Sequence, residues 1–281
     1  MDRLSNYHCH SRLDDGLGEL EEYAAAAFAK GFATLGFSGH APVPFDAGWT
    51  MPAELLPEYI ATVQRLKREY AGRLEILLGL EVDFIPGLLS TRSAHIRELG
   101  LDFTLGSVHF LGRLHDGTWW TADGALAELE QGLEDCFGGD VRAAVERFYA
   151  LTVQMVTESP PDMIGHFDVV KKNNRDGRFF SESAPWYQAA ACRALDAIAR
   201  AGCILEINTG GVVRGTSGAL YPSEWILREA LSREIPVTVN ADAHRPADID
   251  GYFQESFALL KEVGYRRITR ISGGRRIEEA L

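Results

Sequence analysis

The sequence predicts an α/β fold in which parallel strands form a closed or distorted barrel. Two observations support this prediction. Short apolar strands alternate with helices along most of the 281 residues, and histidines and carboxylates recur where predicted strands end. Strands that alternate with helices pair in parallel through right-handed crossovers, and about seven or eight such units suit a barrel. An open, doubly wound sheet is the alternative.

The first half of the chain gives the clearest alternation. Gly31 ends the first predicted helix, and Pro52 suits the first turn of the second. The run 74–82 is almost entirely apolar, which is typical of a strand buried on both faces. The sequence predicts strands at 4–10, 33–38, 74–82 and 103–110, and helices at 18–30, 52–70 and 88–99.

The second half begins with an insertion and then resumes the alternation. The insertion is an exposed turn or hairpin at 112–121 followed by helices at 123–137 and 141–157. Beyond it, the sequence predicts strands at 162–168, 203–208, 237–240 and 267–271, and helices at 185–201, 223–232 and 252–263. No linker or change in composition divides the chain, so we expect a single domain over 1–281.

Composition restricts the class of partner. The 28 basic and 40 acidic residues give a formal net charge of -12, which repels nucleic acid. The four cysteines are widely spaced, which fits a reduced compartment. No leader-like apolar run opens the chain, and no stretch approaches the roughly 18 apolar residues of a membrane helix. We expect a cytoplasmic protein that binds neither nucleic acid nor membrane.

Histidines lie where parallel strands would bring them together. His8 and His10 share one face of the first predicted strand, and Cys9 points to the opposite, core-facing side. His95 lies in a charged helix and His115 in a glycine turn, so neither is assigned a role. The six histidines at or just beyond predicted strand ends are His8, His10, His40, His109, His166 and His244. Because buried imidazoles and carboxylates need partners, a ring of them at one barrel mouth indicates metal ions.

Carboxylates accompany these histidines, and several have more than one interpretation. Asp83 shares a strand face with Glu81 and could simply form a nearby salt bridge. Asp14 suits a turn better than a ligand position. Asp168 either orients His166 or caps local structure, and Glu206 lies in an apolar strand with no evident partner. The carboxylates placed like ligands are Glu81, Asp168 and Asp242.

Taken in order, these motifs resemble the PHP (polymerase and histidinol phosphatase) superfamily, and most closely its histidinol-phosphate phosphatase branch. The resemblance runs from His8 to His244, nearly the whole chain, and the ordered set is much more specific than any single motif. The motifs are His8-Cys9-His10 with Asp15-Gly16, Gly36-Phe37-Ser38-Gly39-His40-Ala41-Pro42, Gly79-Leu80-Glu81, Gly106-Ser107-Val108-His109, Gly165-His166-Phe167-Asp168, Glu206-Ile207-Asn208-Thr209 and Asn240-Ala241-Asp242-Ala243-His244.

The resemblance implies a distorted (β/α)7 TIM-like barrel of the PHP type that holds three divalent ions, with zinc, manganese and iron all suited to the mixed ligands. It assigns His8, His10, Glu81 and Asp242 to the first ion, Glu81, His109 and His166 to the second, and Asp15, His40 and His244 to the third. It also assigns catalysis to Glu81, His109, Asp242 and His244.

Two positions depart from the family pattern. Asn6 stands where an acidic residue is common, which predicts weaker orientation of a neighbouring histidine. Gly39 replaces a common aspartate before His40. Neither departure removes a predicted ligand.

The implied reaction is hydrolysis of a small phosphomonoester, L-histidinol phosphate, by a water that bridges two metal ions. Three carboxylate ligands and three divalent ions leave the site locally at about +3, which reconciles an acidic chain with an anionic substrate. Lys171, Lys172 and Arg214 are the candidate phosphate-binding residues.

Three other functions compete with this interpretation. A related phosphoesterase or nuclease would act on another phosphomonoester, a nucleotide or DNA, but the acidic composition disfavours polyanions. An amidohydrolase also places His-x-His after its first strand, but its bridging lysine is absent and Glu81 takes that place. A metal-loaded regulatory protein without turnover is the third alternative.

Overall fold

The computed structural model describes residues 4–281. Within them, seven parallel strands form one sheet, and each pairs with the next along the chain. The strands of the fold are β1 (Leu4–Asn6), β2 (Phe32–Phe37), β3 (Glu75–Asp83), β4 (Phe103–Ser107), β5 (Phe110–Arg113), β6 (Trp119–Thr121), β7 (Met163–Ile164), β8 (Ile204–Asn208), β9 (Val237–Asn240), β10 (Arg267–Ser272) and β11 (Arg275–Ala280). The sheet order is β1-β2-β3-β4-β7-β8-β9, which confirms the parallel barrel.

The barrel closes where its first and last strands meet. Cys9 and Ala243 form a parallel bridge beyond the ends of β1 and β9. The His10 amide donates to the Ala243 carbonyl at 2.9 Å, and the Ala243 amide donates to the His8 carbonyl at 3.2 Å. This contact places the opening His-x-His beside the segment that carries Asp242. Cys9 is 2% exposed and points into the core, as predicted.

Helices cover the outside of the barrel. In α2 (Leu56–Glu69), Tyr59, Val63 and Leu66 recur at helical spacing and are buried. Pro185 occupies the first turn of α6 (Pro185–Ala201), and Gly202 ends that helix with φ 69°. The helices are α1 (Leu20–Ala29), α2 (Leu56–Glu69), α3 (Ala94–Arg97), α4 (Leu126–Phe137), α5 (Val141–Glu158), α6 (Pro185–Ala201), α7 (Gly210–Val213), α8 (Glu224–Ser232) and α9 (Phe253–Val263). Over residues 4–281, no helix is both long and apolar enough to cross a bilayer.

The barrel interior is filled from the end opposite the histidines. The ring of Phe103 lies against the backbone of Gly36 and Gly79, where a Cβ atom would come within 2.7 Å and 2.4 Å of that ring. The Tyr7 hydroxyl donates to the Ile271 carbonyl at 2.9 Å and accepts from the Ile271 amide at 2.9 Å. The β10–β11 hairpin is thereby tied to the apolar interior.

The strands predicted at 4–10 and 103–110 shorten to Leu4–Asn6 and Phe103–Ser107, and three further predicted elements differ more strongly from the structure. The helix predicted at 88–99 shortens to Ala94–Arg97, because Ile85 and Leu89 pair across a tight turn with Gly87 at φ 76°. The strand predicted at 162–168 pairs only over Met163–Ile164. The strand predicted at 267–271 pairs antiparallel with β11 and lies outside the parallel sheet, which therefore has seven strands.

Candidate metal centre

The nine predicted metal ligands converge at the mouth of the barrel. Glu81 lies within β3, at the level where the neighbouring strands end. Each oxygen of its carboxylate faces a histidine. Because the carboxyl ends of parallel strands meet at one edge, residues far apart in sequence become neighbours. The converging residues are His8, His10, Asp15, His40, Glu81, His109, His166, Asp242 and His244.

Among the predicted ligands of the first ion, two histidine nitrogens face the same two carboxylate oxygens. His8 Nε2 lies 3.1 Å from Glu81 Oε2 and 3.7 Å from Asp242 Oδ1. His10 Nε2 lies 3.5 Å and 3.3 Å from the same two oxygens. Four donors at about 2.0–2.2 Å from a tetrahedral metal ion are separated by about 3.4 Å. The spacing of these four atoms therefore fits a metal ion.

A second group of donors uses the other oxygen of Glu81. His166 Nε2 lies 3.0 Å from Glu81 Oε1, and His109 Nε2 lies 3.7 Å from it. The two histidine nitrogens are 3.1 Å apart. Glu81 therefore faces one group of histidines with each oxygen, as a bridging carboxylate must.

The third group is looser and more exposed. Asp15 Oδ2 lies 3.2 Å from His244 Nε2, and Asp15 Oδ1 lies 3.8 Å from His40 Nε2. The Asp15 side chain is 31% exposed and that of His244 is 20% exposed. Asp15 brings the two histidines to opposite oxygens of one carboxylate, at the open side of the centre.

Two histidine nitrogens at the centre have no hydrogen-bond partner. His10 Nε2 and His40 Nδ1 are buried, and no atom of residues 4–281 forms a hydrogen bond with either. An unpaired buried polar atom is costly. Both atoms point into the ring of carboxylates, so a bound cation would satisfy them.

Carboxylates outside the predicted ligand set orient the histidines. His8 Nδ1 donates to Glu206 Oε1 at 2.7 Å, and His10 Nδ1 donates to Asp14 Oδ2 at 2.7 Å. His109 Nδ1 donates to Asp83 Oδ1 at 2.9 Å. Each contact leaves Nε2 of the histidine free to bind a metal ion, and such contacts also raise the basicity of the ligand.

Glu206 is the residue whose role the sequence did not indicate. Its side chain is fully buried, and it also accepts from the His166 amide at 2.7 Å. The side-chain amides of Asn208 and Asn240 donate to it at 2.9 Å each. Its position in an apolar strand was the available signal, since a carboxylate buried there needs several donors.

The structure shows the contacts of the acidic residues whose roles the sequence left open. Asp83 and Asp14 form the nearby contacts with histidines described above. Asp168 does not orient His166: its Oδ2 accepts from the Ser223 amide at 2.9 Å, so its role is structural. The Asn6 side-chain oxygen accepts from the Ala241 amide at 2.9 Å and so helps to join the first and last strands.

The electrostatics of the centre favour a bound cation. Burial alone would lower the pKa of His10, but its hydrogen bond to Asp14 raises that pKa to about 10. Burial alone would raise the pKa of Glu81, but His40 and His8 hold that pKa well below its ordinary value. The carboxylates thus stay ionised and require positive charge beside them, from protons or from metal ions that displace them.

The candidate phosphate-binding residues separate into two groups. Arg214 and Lys172 line the cavity over the centre, and Arg214 donates to Asp242 Oδ2 at 3.0 Å. Lys171 does not line it. Its ammonium group donates to the Leu220 carbonyl at 3.0 Å and forms an ion pair with Asp168 at 2.8 Å. The structure therefore does not bring Lys171 to the phosphate side.

The cavity extends from the histidines to the inserted hairpin. Its volume is about 430 Å³. Besides the histidines, it is lined by aromatic and acidic side chains, among them Trp49, Trp119 and Asp123. A cavity of this size suits a small molecule.

Comparison with known proteins identifies relatives along almost the whole chain. Residues 6–210 match the family model of the PHP domain. The chain is 34% identical over 274 residues to the Deinococcus radiodurans protein named "Probable histidinol-phosphatase", covering 96% of this chain and 97% of that protein. It is 31% identical over 258 residues to the histidinol-phosphatase of Bacillus subtilis, covering 85% of this chain and 91% of that protein.

A solved structure has the same fold. It is the crystal structure of histidinol phosphate phosphatase from Lactococcus lactis subsp. lactis, complexed with zinc, L-histidinol and phosphate. The TM-score is 0.74 at 20% sequence identity, and the match covers 97% of this chain and 98% of that chain. With a family model that matches most of the chain, relatives of matching length and a shared barrel, this chain belongs to the PHP domain family.

Proposed function

We propose that this protein hydrolyses L-histidinol phosphate to L-histidinol and phosphate, using a centre of three divalent metal ions. The relatives described above carry that activity in their names. The observation that carries the proposal is the bridging position of Glu81, with a group of histidines at each oxygen. The expected substrate is a small phosphomonoester rather than a nucleic acid.

The proposed ligand sets are those implied by the family motifs. His8, His10 and Asp242 would hold the first ion with Glu81, and His109 and His166 the second. Asp15, His40 and His244 would hold the third. Zinc, manganese and iron all suit these nitrogen and oxygen donors. When bound, the ions would supply an activated water and positive charge for the phosphoryl oxygens.

The centre contains more carboxylates than the three proposed as metal ligands. Beyond the three proposed ligands, Asp14, Asp83 and Glu206 each bind a histidine at the centre. Six carboxylates would balance the charge of three divalent ions, so the local charge is about zero rather than about +3. Positive side chains must therefore contribute to attracting a phosphate dianion.

Arg214 and Lys172 are the cations that we propose for this role. Arg214 lies beside the first group of ligands, because its guanidinium contacts Asp242 and, at 2.8 Å, His244 Nδ1. The short helix α7 holds Arg214 there. A Cβ at Gly210 would come within 2.8 Å of the guanidinium, so glycine allows this close approach. A planar guanidinium suits the oxygens of a phosphoryl group.

The test combines elemental analysis of the purified protein with phosphate release from L-histidinol phosphate. We expect up to three divalent ions per chain and turnover that chelation abolishes. Glu81→Ala or His109→Ala should remove metal-dependent turnover. Bound metal without hydrolysis of any phosphomonoester in a panel would instead favour a regulatory protein, and preferred cleavage of single-stranded DNA would favour a nuclease.

A further inference from the structure

Trp49 and Trp119 line the cavity above the metal centre, and Phe45 and Phe110 pack behind them. Trp49 stacks on Phe110 with ring centroids 5.4 Å apart, and Phe45 stacks on Trp119 with centroids 5.1 Å apart. Phe45 also meets Phe110 edge to face at 5.2 Å, which joins the two pairs. We call these residues the aromatic wall. Their mutual packing makes the wall a rigid, apolar surface.

The aromatic wall adjoins the proposed metal ligands. The Trp49 ring lies 4.5 Å from the His40 ring and 5.3 Å from the His109 ring, centroid to centroid in both cases. With a phosphoryl group held at the centre, the rest of a substrate in this cavity would lie within reach of Trp49 and Trp119. The wall is therefore placed to contact the leaving group.

A carboxylate lines the same cavity. Asp123 lines the cavity, and its side chain is 27% exposed. No group within residues 4–281 donates a hydrogen bond to this carboxylate. The nearest cation, Lys172 Nζ, donates instead to the Asp123 main-chain carbonyl at 2.5 Å and lies 3.7 Å from the carboxylate. The carboxylate can accordingly accept hydrogen bonds from a ligand.

The position of Asp123 would disfavour a simple phosphate ligand. A negative charge near a dianion weakens its binding, and the aromatic wall reduces the screening by water that would soften this repulsion. The same charge stabilises a cation held between the carboxylate and the wall. A carboxylate that accepts no hydrogen bond in this place is therefore explained by a substrate whose leaving group is positively charged.

We propose that Asp123 determines specificity by accepting a hydrogen bond from the ammonium group of the substrate while the aromatic wall packs against its flat ring. The proposal rests on the proposed function, because L-histidinol carries both an amine and an imidazole. Asp123 takes part in binding and does not touch the reacting phosphorus.

The test compares Asp123→Asn with the unmodified metal-loaded protein on two substrates. One is L-histidinol phosphate, and the other is p-nitrophenyl phosphate, which has no cationic group. We expect KM for L-histidinol phosphate to rise roughly 10- to 100-fold with kcat nearly unchanged, the range for loss of a charged hydrogen bond. For p-nitrophenyl phosphate, kcat/KM should stay the same or increase, because a repulsive charge is removed.

Calorimetric titration with the two products measures binding without turnover. L-Histidinol alone should bind more weakly to the metal-loaded Asp123→Asn protein, whereas inorganic phosphate should bind equally well or more tightly. Equal losses with both substrates would mean that Asp123 acts by holding Lys172, and unchanged kinetics with both would mean that it has no role. Either result overturns the inference.

Asp102→Asn is the matched control. Asp102 pairs with Lys67 at 2.6 Å, and the exposed fractions of the two side chains are 27% and 29%, the same as those of Asp123 and Lys172. Asp102 lies away from the metal centre, so its substitution should leave both substrates unaffected. If the unmodified protein hydrolyses neither substrate, the proposed function fails, and the binding of L-histidinol still tests the role of Asp123.

Discussion

At the scale of single residues, the centre depends on carboxylates that hold histidines in place. The histidines themselves could be predicted, because they follow strands whose apolar pattern is visible in the sequence. Their partners could not. His8 and Glu206 are 198 residues apart, and only closure of the barrel makes them neighbours. A local pattern contains no information about such a pair.

Glu206 gives the first prediction. Glu206→Gln places an amide nitrogen opposite groups that already donate hydrogen bonds, so either His8 or the His166 amide loses its acceptor and the position of a metal-binding histidine is disturbed. We expect affinity for Mn²⁺ or Zn²⁺ to fall roughly 10- to 100-fold, as for other groups that orient metal ligands. Calorimetric titration of the metal-free protein measures this. Unchanged affinity, with the thermal stability of the variant also measured, would contradict it.

The adjacent lysines give the second prediction, because they point to different environments. Lys171→Met leaves Asp168 buried without its cation and should lower the free energy of unfolding by about 3 kcal/mol. Lys172→Met should leave stability nearly unchanged and raise KM for phosphomonoesters. Urea denaturation and steady-state kinetics on both variants distinguish the two effects. Equal kinetic defects in the two variants would contradict the different roles assigned to Lys171 and Lys172.

At the scale of elements, the strands could be predicted more accurately than the lengths of short segments. The run 74–82 was clear because its apolar residues are continuous, and it forms Glu75–Asp83. The strand predicted at 162–168 ends at Ile164 because the following residues turn away from the sheet, with the Val169 amide donating to the His166 carbonyl at 2.8 Å. Because the chain turns here, the His166 side chain lies at the metal centre, 3.0 Å from Glu81.

The close approach of β3 and β4 gives the third prediction. In Gly79→Ala, the new methyl group would lie 2.4 Å from Phe103 Cζ. Such overpacking of a barrel interior should cost roughly 1–3 kcal/mol of stability. Phe103→Leu in the same chain removes the obstructing ring edge and should recover part of the loss. A double-mutant cycle by urea denaturation measures the coupling, and strictly additive losses would rule out a direct clash.

At the scale of the whole molecule, the proposed metal centre lies where the first and last strands of the barrel meet. Its ligands come from both ends of the strand order: His8 and His10 follow β1, whereas Asp242 follows β9. Without a metal ion, several buried carboxylates lie close together and depend on protonated histidines for compensation. Burial alone would lower the pKa of His8, but Glu206 and Glu81 raise it well above its ordinary value.

Metal binding should therefore stabilise the barrel as well as enable catalysis. A ligand at about 100 times its Kd stabilises the native state by roughly 2.7 kcal/mol, which corresponds to an increase in Tm on the order of 5 °C for a chain of this size. Chelation should lower Tm by that amount, and Zn²⁺ or Mn²⁺ should restore it. In Asp242→Asn, which weakens the link between the first and last strands, the metal-dependent increase should shrink by at least half. Differential scanning calorimetry measures both values, and a Tm that is independent of metal would refute the coupling between the centre and closure of the barrel.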